Sequence, residues 1–265
     1  MDNDERYLAI VRDAVAVCLR YKPKFGKGGK DGLTLERFQR LYQSDPFYSW
    51  FGLDSPLVYA AHKAAGGITS VYRQIGTAAE HVFRAVLQDT LGQSAEESNW
   101  SYTVPTTTGM VRTLSLDGRI SLAAVRNSER EALVKNWIRQ AARRVALPAK
   151  ASRRIKGVVF ECRQGYKSKD SKRPTADVAN ASNAYAHDYI PCVMLFSLQI
   201  DSDVAERYTR AQWLLLTGSL QGTSLDSTYV FCREVLGYDL AAFFERNRDA
   251  IKEQVEEVFK GLMNG

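Results

Sequence analysis

Three carboxylates and a run of cations are the side chains whose type and spacing could do chemistry here. Glu161 closes the apolar, β-branched run Gly157-Val158-Val159-Phe160. Arg163, Tyr166, Lys167, Ser168, Lys169, Ser171, Lys172 and Arg173 follow at once. A strand that delivers a carboxylate next to a basic, hydroxyl-rich segment suits holding a divalent cation against a phosphate. Asp117 stands near the end of a second β-type run, and Glu80, on a preceding helix, could supply a third oxygen. Magnesium fits such a set, because it takes few protein carboxylates and keeps several waters. The period of two along a strand puts Glu161, Arg163, Gly165 and Lys167 on one face. Arg163 stays protonated and can clamp a phosphate but not act as a base. Lys167 or Lys169 could orient the attacking water.

Each residue also has a plain structural reading. Asp117 precedes Gly118 and could form a turn. Glu161 could be a strand-end carboxylate paired with an arginine, and Glu80 a solvated helix residue. His81 and His187 read as partly exposed structural residues. Residues 150–173 hold nine Lys/Arg against two acids, an excess above the whole chain's net charge of +6. Such a stretch can be a solvated face, but Tyr166, Ser168 and Ser171 within it suit phosphate contacts. A small-residue helix at 175–185 follows. Asn180 and Asn183 share one of its faces, with Asp177 alongside. Asparagine can pair bidentately with adenine. The alternative is an alanine-rich helix packed on the sheet.

The elements that must position these groups are read from periodicity. Helical spacing covers 4–21, 34–43, 56–65, 69–91, 121–147, 228–236 and 239–262. Strand character marks 100–105, 111–120, 156–166, 190–200 and 213–220, with a turn at 106–109 making a hairpin of the first two. A glycine-rich basic loop, Lys22 to Gly32, lacks the lysine–hydroxyl ending of a phosphate-binding P-loop. It reads as a surface loop or as an arm lying along phosphates.

Composition limits the function classes. With 265 residues there is ample material for a core. The pI of about 9.1 suits a polyanionic partner. Cys18, Cys162, Cys192 and Cys232 form no CxxC pair, which argues against zinc and for buried thiols. No apolar stretch approaches the length of a membrane span, and the acidic start Met1-Asp2-Asn3-Asp4-Glu5 does not suit a signal peptide. A reduced, cytoplasmic protein with no membrane partner is expected.

Taken together, Leu116-Asp117 … Glu161-Cys162-Arg163 resembles the PD-(D/E)xK nuclease superfamily: an acid at one strand end, then an acid, any residue and a cation at the next. A helix carrying an acidic residue before the first strand (Gly76-Thr77-Ala78-Ala79-Glu80), and a helix and strand after the second motif, are similar to it too. The segment Arg163 to Arg173 looks most like a Type II restriction endonuclease. Three features depart from the pattern, the first being that Leu116 rather than proline precedes Asp117. Arg163 occupies the lysine position, and the 43 residues between Asp117 and Glu161 require a helical insertion. The resemblance implies an α/β (α+β) fold with a central mixed sheet flanked by helices, a restriction-endonuclease-like core. It implies one nuclease domain over 1–265: a helical region 1–65, a core 69–200, and a C-terminal strand and helices 201–265. It further implies Mg2+ on Glu80, Asp117 and Glu161, and catalysis by Asp117, Glu161, Arg163, Lys167 and Lys169. Double-stranded DNA would be held by Tyr166, Ser168, Lys169, Lys172, Arg173, Asn180 and Asn183, and the enzyme would be a homodimer. The competing expectations are a structure-specific repair or recombination nuclease and a non-catalytic DNA-binding protein.

Overall fold

A computed structural model describes residues 2–24, 32–105, 111–165 and 180–263. The protein is mixed α/β and divides into two compact units, residues 1–78 with 246–265 and residues 79–245. The division falls inside a long helix, between residues 78 and 79.

In the first unit, α1 (Asn3–Ala16) buries Tyr7, Val11 and Val15, a stripe at i, i+4, i+8. A 3₁₀ turn (Val17–Arg20) follows. α2 (Leu35–Gln43) is capped by Thr34 and α3 (Pro46–Trp50) by Asp45, with proline at the start of α3. Val15, Cys18 and Val71 pack with Val258 and Leu262 of α11 (Arg248–Met263). A second small core holds Leu33, Phe38 and Tyr59.

α4 (Pro56–Leu91) joins what the sequence divides into helices 56–65 and 69–91. Gly66-Gly67 does not break it. A Cβ at Gly67 would lie 2.8 Å from a Leu262 methyl carbon, so the missing side chain admits a neighbour rather than ending the helix.

The second unit carries two sheets. β1 (Trp100–Pro105) and β2 (Val111–Leu116) form an antiparallel hairpin. Its turn, 106–109, lies outside the described residues. The other sheet has the order β3-β4-β5-β6, from β3 (Gly118–Ser121), β4 (Gly157–Arg163), β5 (Tyr189–Leu195) and β6 (Leu214–Leu216). β3 runs antiparallel to β4, while β4, β5 and β6 are parallel. β4 and β5 are buried almost throughout, which explains their near-continuous apolar sequence.

Crossovers supply the helices that cover the sheet. α5 (Ser128–Arg144), capped by Asn127, lies between β3 and β4 and is shorter than the expected 121–147. α6 (Ala149–Ser152) is a single turn. α7, described over 180–186, precedes β5. α8 (Ser202–Arg210) joins β5 to β6, so β5 stops at Leu195 rather than 200. α9 (Thr228–Phe231) runs into a π-type turn (Cys232–Leu236) that ends at Gly237 in the left-handed conformation. α10 (Leu240–Arg246) and α11 are separate where one helix over 239–262 is expected.

One face of the β4–β5 pair, through Val159, Val193 and Leu195, packs with Trp100, Tyr102 and Leu116 of the hairpin and Ala181 and Ala184 of α7. Phe160, next along β4, meets the ring of Phe83 of α4 edge-on and that of Phe231 of α9 at a tilt. The β4 strand is therefore gripped on both faces.

Candidate acidic site at the end of the central strand

Asp117 is the single residue between β2 and β3, where the chain passes from the hairpin into the larger sheet. Its N–H donates to the Phe160 carbonyl at 2.8 Å, and its Oδ2 accepts from the Cys162 N–H at 2.7 Å. Main chain and side chain together dock it along β4. The Asp-Gly turn does not occur, since Gly118 continues directly into β3 opposite Phe160.

Glu161 is 6% exposed and makes an ion pair with Arg163 Nη2. The period of two thus places acid and guanidinium on one strand face, as the spacing requires. Glu80 projects from α4 one turn before Arg84 and accepts from Arg84 Nη2 at 2.5 Å. Arg84 Nε donates to the Asp117 carbonyl at 2.9 Å. Arg84 is the site residue that sequence reading missed. The signal available was a Glu–Arg pair at i, i+4 on a helix leading to the sheet.

The electrostatics tie these groups together. Burial, then repulsion from Glu80, push the Asp117 carboxyl up to about 6, against its hydrogen bond from Cys162 and the guanidiniums of Arg163 and Arg84. The buried Cys162 thiol is raised well above its ordinary range by desolvation, and then by Asp117, Glu161 and Glu80. Three carboxylates therefore act on one spot beside β4, against two guanidiniums. A cation would relieve that imbalance, and hard oxygen donors suit magnesium. Among the described residues, however, no three His, Cys, Asp or Glu side chains are grouped so as to hold a metal ion. Asp117 with Glu80 or Glu161, completed by water, is the donor set the chemistry fits.

Tyr102 of β1 reaches the same neighbourhood. Burial raises its phenol; a hydrogen bond with Asn183 opposes the rise and the Glu161 carboxylate adds to it. Its hydroxyl also donates to the Asn180 Oδ1. The asparagine face of α7 is therefore turned toward the hairpin, with Ala181 and Ala184 in the core. His187 Nδ1 lies 2.8 Å from the Asn183 carbonyl and its ring meets Trp100 edge-on. His81 is exposed, 4.0 Å from Glu80. Tyr166, Lys167, Ser168, Lys169, Lys172 and Arg173 lie outside the described residues.

All four cysteines are free and buried, in keeping with small core residues. No helix among the described residues is long and apolar enough to cross a membrane. Compared with known proteins, the chain matches no family model, no curated protein and no solved structure.

Proposed function

We propose that the protein is a magnesium-dependent endonuclease that cleaves double-stranded DNA at a specific sequence, a Type II restriction endonuclease with a PD-(D/E)xK core. The observation that carries this reading is the docking of the Asp117 carboxylate onto the Cys162 N–H, between Glu161 and Arg163 on the neighbouring strand. Binding alone does not require buried acids beside a basic segment. The chain order also supports it: a helix carrying Glu80, a hairpin leading into Asp117, a strand carrying Glu161-Cys162-Arg163, then a helix and a parallel strand.

Asp117 and Glu161 would hold Mg2+, with Glu80 as a third oxygen. When bound, the ion supplies Lewis acidity to the scissile phosphate and a more acidic water. Arg84 fixes both Glu80 and the Asp117 main chain. Arg163 restrains Glu161 and would bring its guanidinium charge to a phosphate oxygen. Lys167 or Lys169 would steer the water, and Lys172, Arg173, Tyr166 and Ser168 would hold the backbone. Cutting both strands of a palindrome requires a two-fold dimer, so a homodimer is part of the proposal.

A second reading, a non-catalytic DNA-binding protein, is favoured by one observation: Glu80 and Glu161 already carry guanidinium partners. Incubation with a large unmethylated DNA of known sequence, with and without magnesium, separates the readings. Discrete magnesium-dependent fragments with common ends support restriction cleavage. Branch-dependent cutting points to a repair nuclease. Binding with no cutting, in magnesium and in manganese, points to the binder.

A further inference from the structure

A cleft of about 850 Å³ opens in the first unit, between the segment after α1 and the middle of α4. That volume is in the range of small-ligand sites. Its charged lining among the described residues is entirely cationic: Arg20, Lys22, Lys24 and Arg73. Among the described residues none of the four makes an ion pair, although arginines elsewhere in the chain commonly do.

The walls are built rather than accidental. Tyr21 lies against α4 at Gly66, where a Cβ would fall 1.8 Å from the phenol oxygen. The phenol oxygen thus occupies the space that a side chain at Gly66 would take. Ser70, at the lining, is 5% exposed; its hydroxyl accepts from Arg73 Nη2 at 3.4 Å and from Cys18 Sγ at 3.5 Å. The segment carrying Lys22 and Lys24 is pinned between them, since the Pro23 carbonyl accepts from Leu33 N–H at 2.9 Å. All four cations are exposed at the rim, where water screens their mutual repulsion, and together they offer a multiply charged anion several donors at once.

We infer that this cleft is a binding site for a ligand bearing two or more phosphate groups. The chemistry is shared by a free nucleoside triphosphate and by adjacent phosphates of a nucleic-acid backbone. The site lies wholly within the first unit and does not rest on the nuclease reading, which concerns residues 79–245.

The test is titration of the full chain, in EDTA and low salt, with pyrophosphate, ATP and a 20-base-pair duplex. Calorimetry follows the first two and fluorescence anisotropy the third. The Arg20→Ala/Arg73→Ala double variant is compared with an Arg139→Ala/Arg143→Ala control and with Arg20→Lys/Arg73→Lys, each checked for unaltered circular dichroism. Saturable binding weakened at least about tenfold by the alanine pair, and kept by the control and the lysine pair, supports the site; about 1.4 kcal/mol accompanies each tenfold change. If that pattern appears for pyrophosphate and ATP, the source is a free nucleotide. If it appears for the duplex alone, with the slope of log K against log salt reduced by about 2, the source is nucleic acid. Absence of saturable binding by all three probes, or binding indifferent to the cleft variants, overturns the inference.

Discussion

Replacing Asp117 by asparagine should stabilise the protein while removing its proposed activity. The native carboxyl is raised from the ordinary 3.8 to about 6, first by burial and then by Glu80. That rise corresponds to about 3 kcal/mol of penalty for holding the ionised form in the folded state. The sign follows from proton counts. Between about pH 4 and pH 6 the folded state binds more protons than the unfolded state, so stability falls as pH rises through that window and stays lower above it. Asparagine cannot ionise, yet its carbonyl oxygen can still accept from the Cys162 N–H. The value of about 6 already includes that bond to the ionised form, so nothing further is subtracted for it. The net gain should be about 3 kcal/mol at pH 8, shrinking toward zero near pH 4. Urea unfolding of wild type and Asp117→Asn at several pH values measures it. A variant less stable than wild type at pH 8, or a difference independent of pH, would refute the reasoning.

Other substitutions probe the surroundings. Arg84→Ala removes donors to both Glu80 and the Asp117 carbonyl; it should cost about 1–3 kcal/mol in urea unfolding. Because Arg84 holds the Asp117 carboxyl down, its loss should also move the acid limb of the pH–cleavage profile to higher pH. Phe160→Ala deletes a fully buried ring set between Phe83 and Phe231, for a loss of about 3–5 kcal/mol in the same assay. Tyr102→Phe removes the hydroxyl that reaches Asn180, and calorimetric unfolding should show a loss of about 1 kcal/mol.

The central strand was legible because Val158-Val159-Phe160 is apolar and β-branched, and a parallel interior strand must be so. Asp117 and Glu161 were legible as neighbours because each sits at the end of such a run. The helical excursion between them was forced by chain length and appears as α5. Other elements depended on contacts between distant residues. Gly66-Gly67 reads as a break, but Leu262, nearly 200 residues later, packs where Gly67 has no side chain. α8 carried a local signal that went unused: Asp201 as cap, then Val204 and Tyr208 four apart. The separation of α10 from α11 at Asn247 has no glycine or proline to announce it. Arg84 looked like half of a solvated helix pair, because nothing local shows that α4 passes beside Asp117. Asn180 fits a base-reading pattern in sequence, whereas its partner Tyr102 lies 78 residues away.

The most direct test of the nuclease proposal separates binding from cutting at the acids. Wild type, Asp117→Asn and Glu161→Gln are each given the same end-labelled duplex DNA. Cleavage is read in magnesium and affinity in calcium. The account predicts magnesium-dependent cutting by wild type, lost in both variants, with affinity kept or improved as negative charge near phosphate is removed. Cutting that survives both substitutions, or a wild-type protein that binds DNA in calcium but never cleaves it in magnesium, would contradict it.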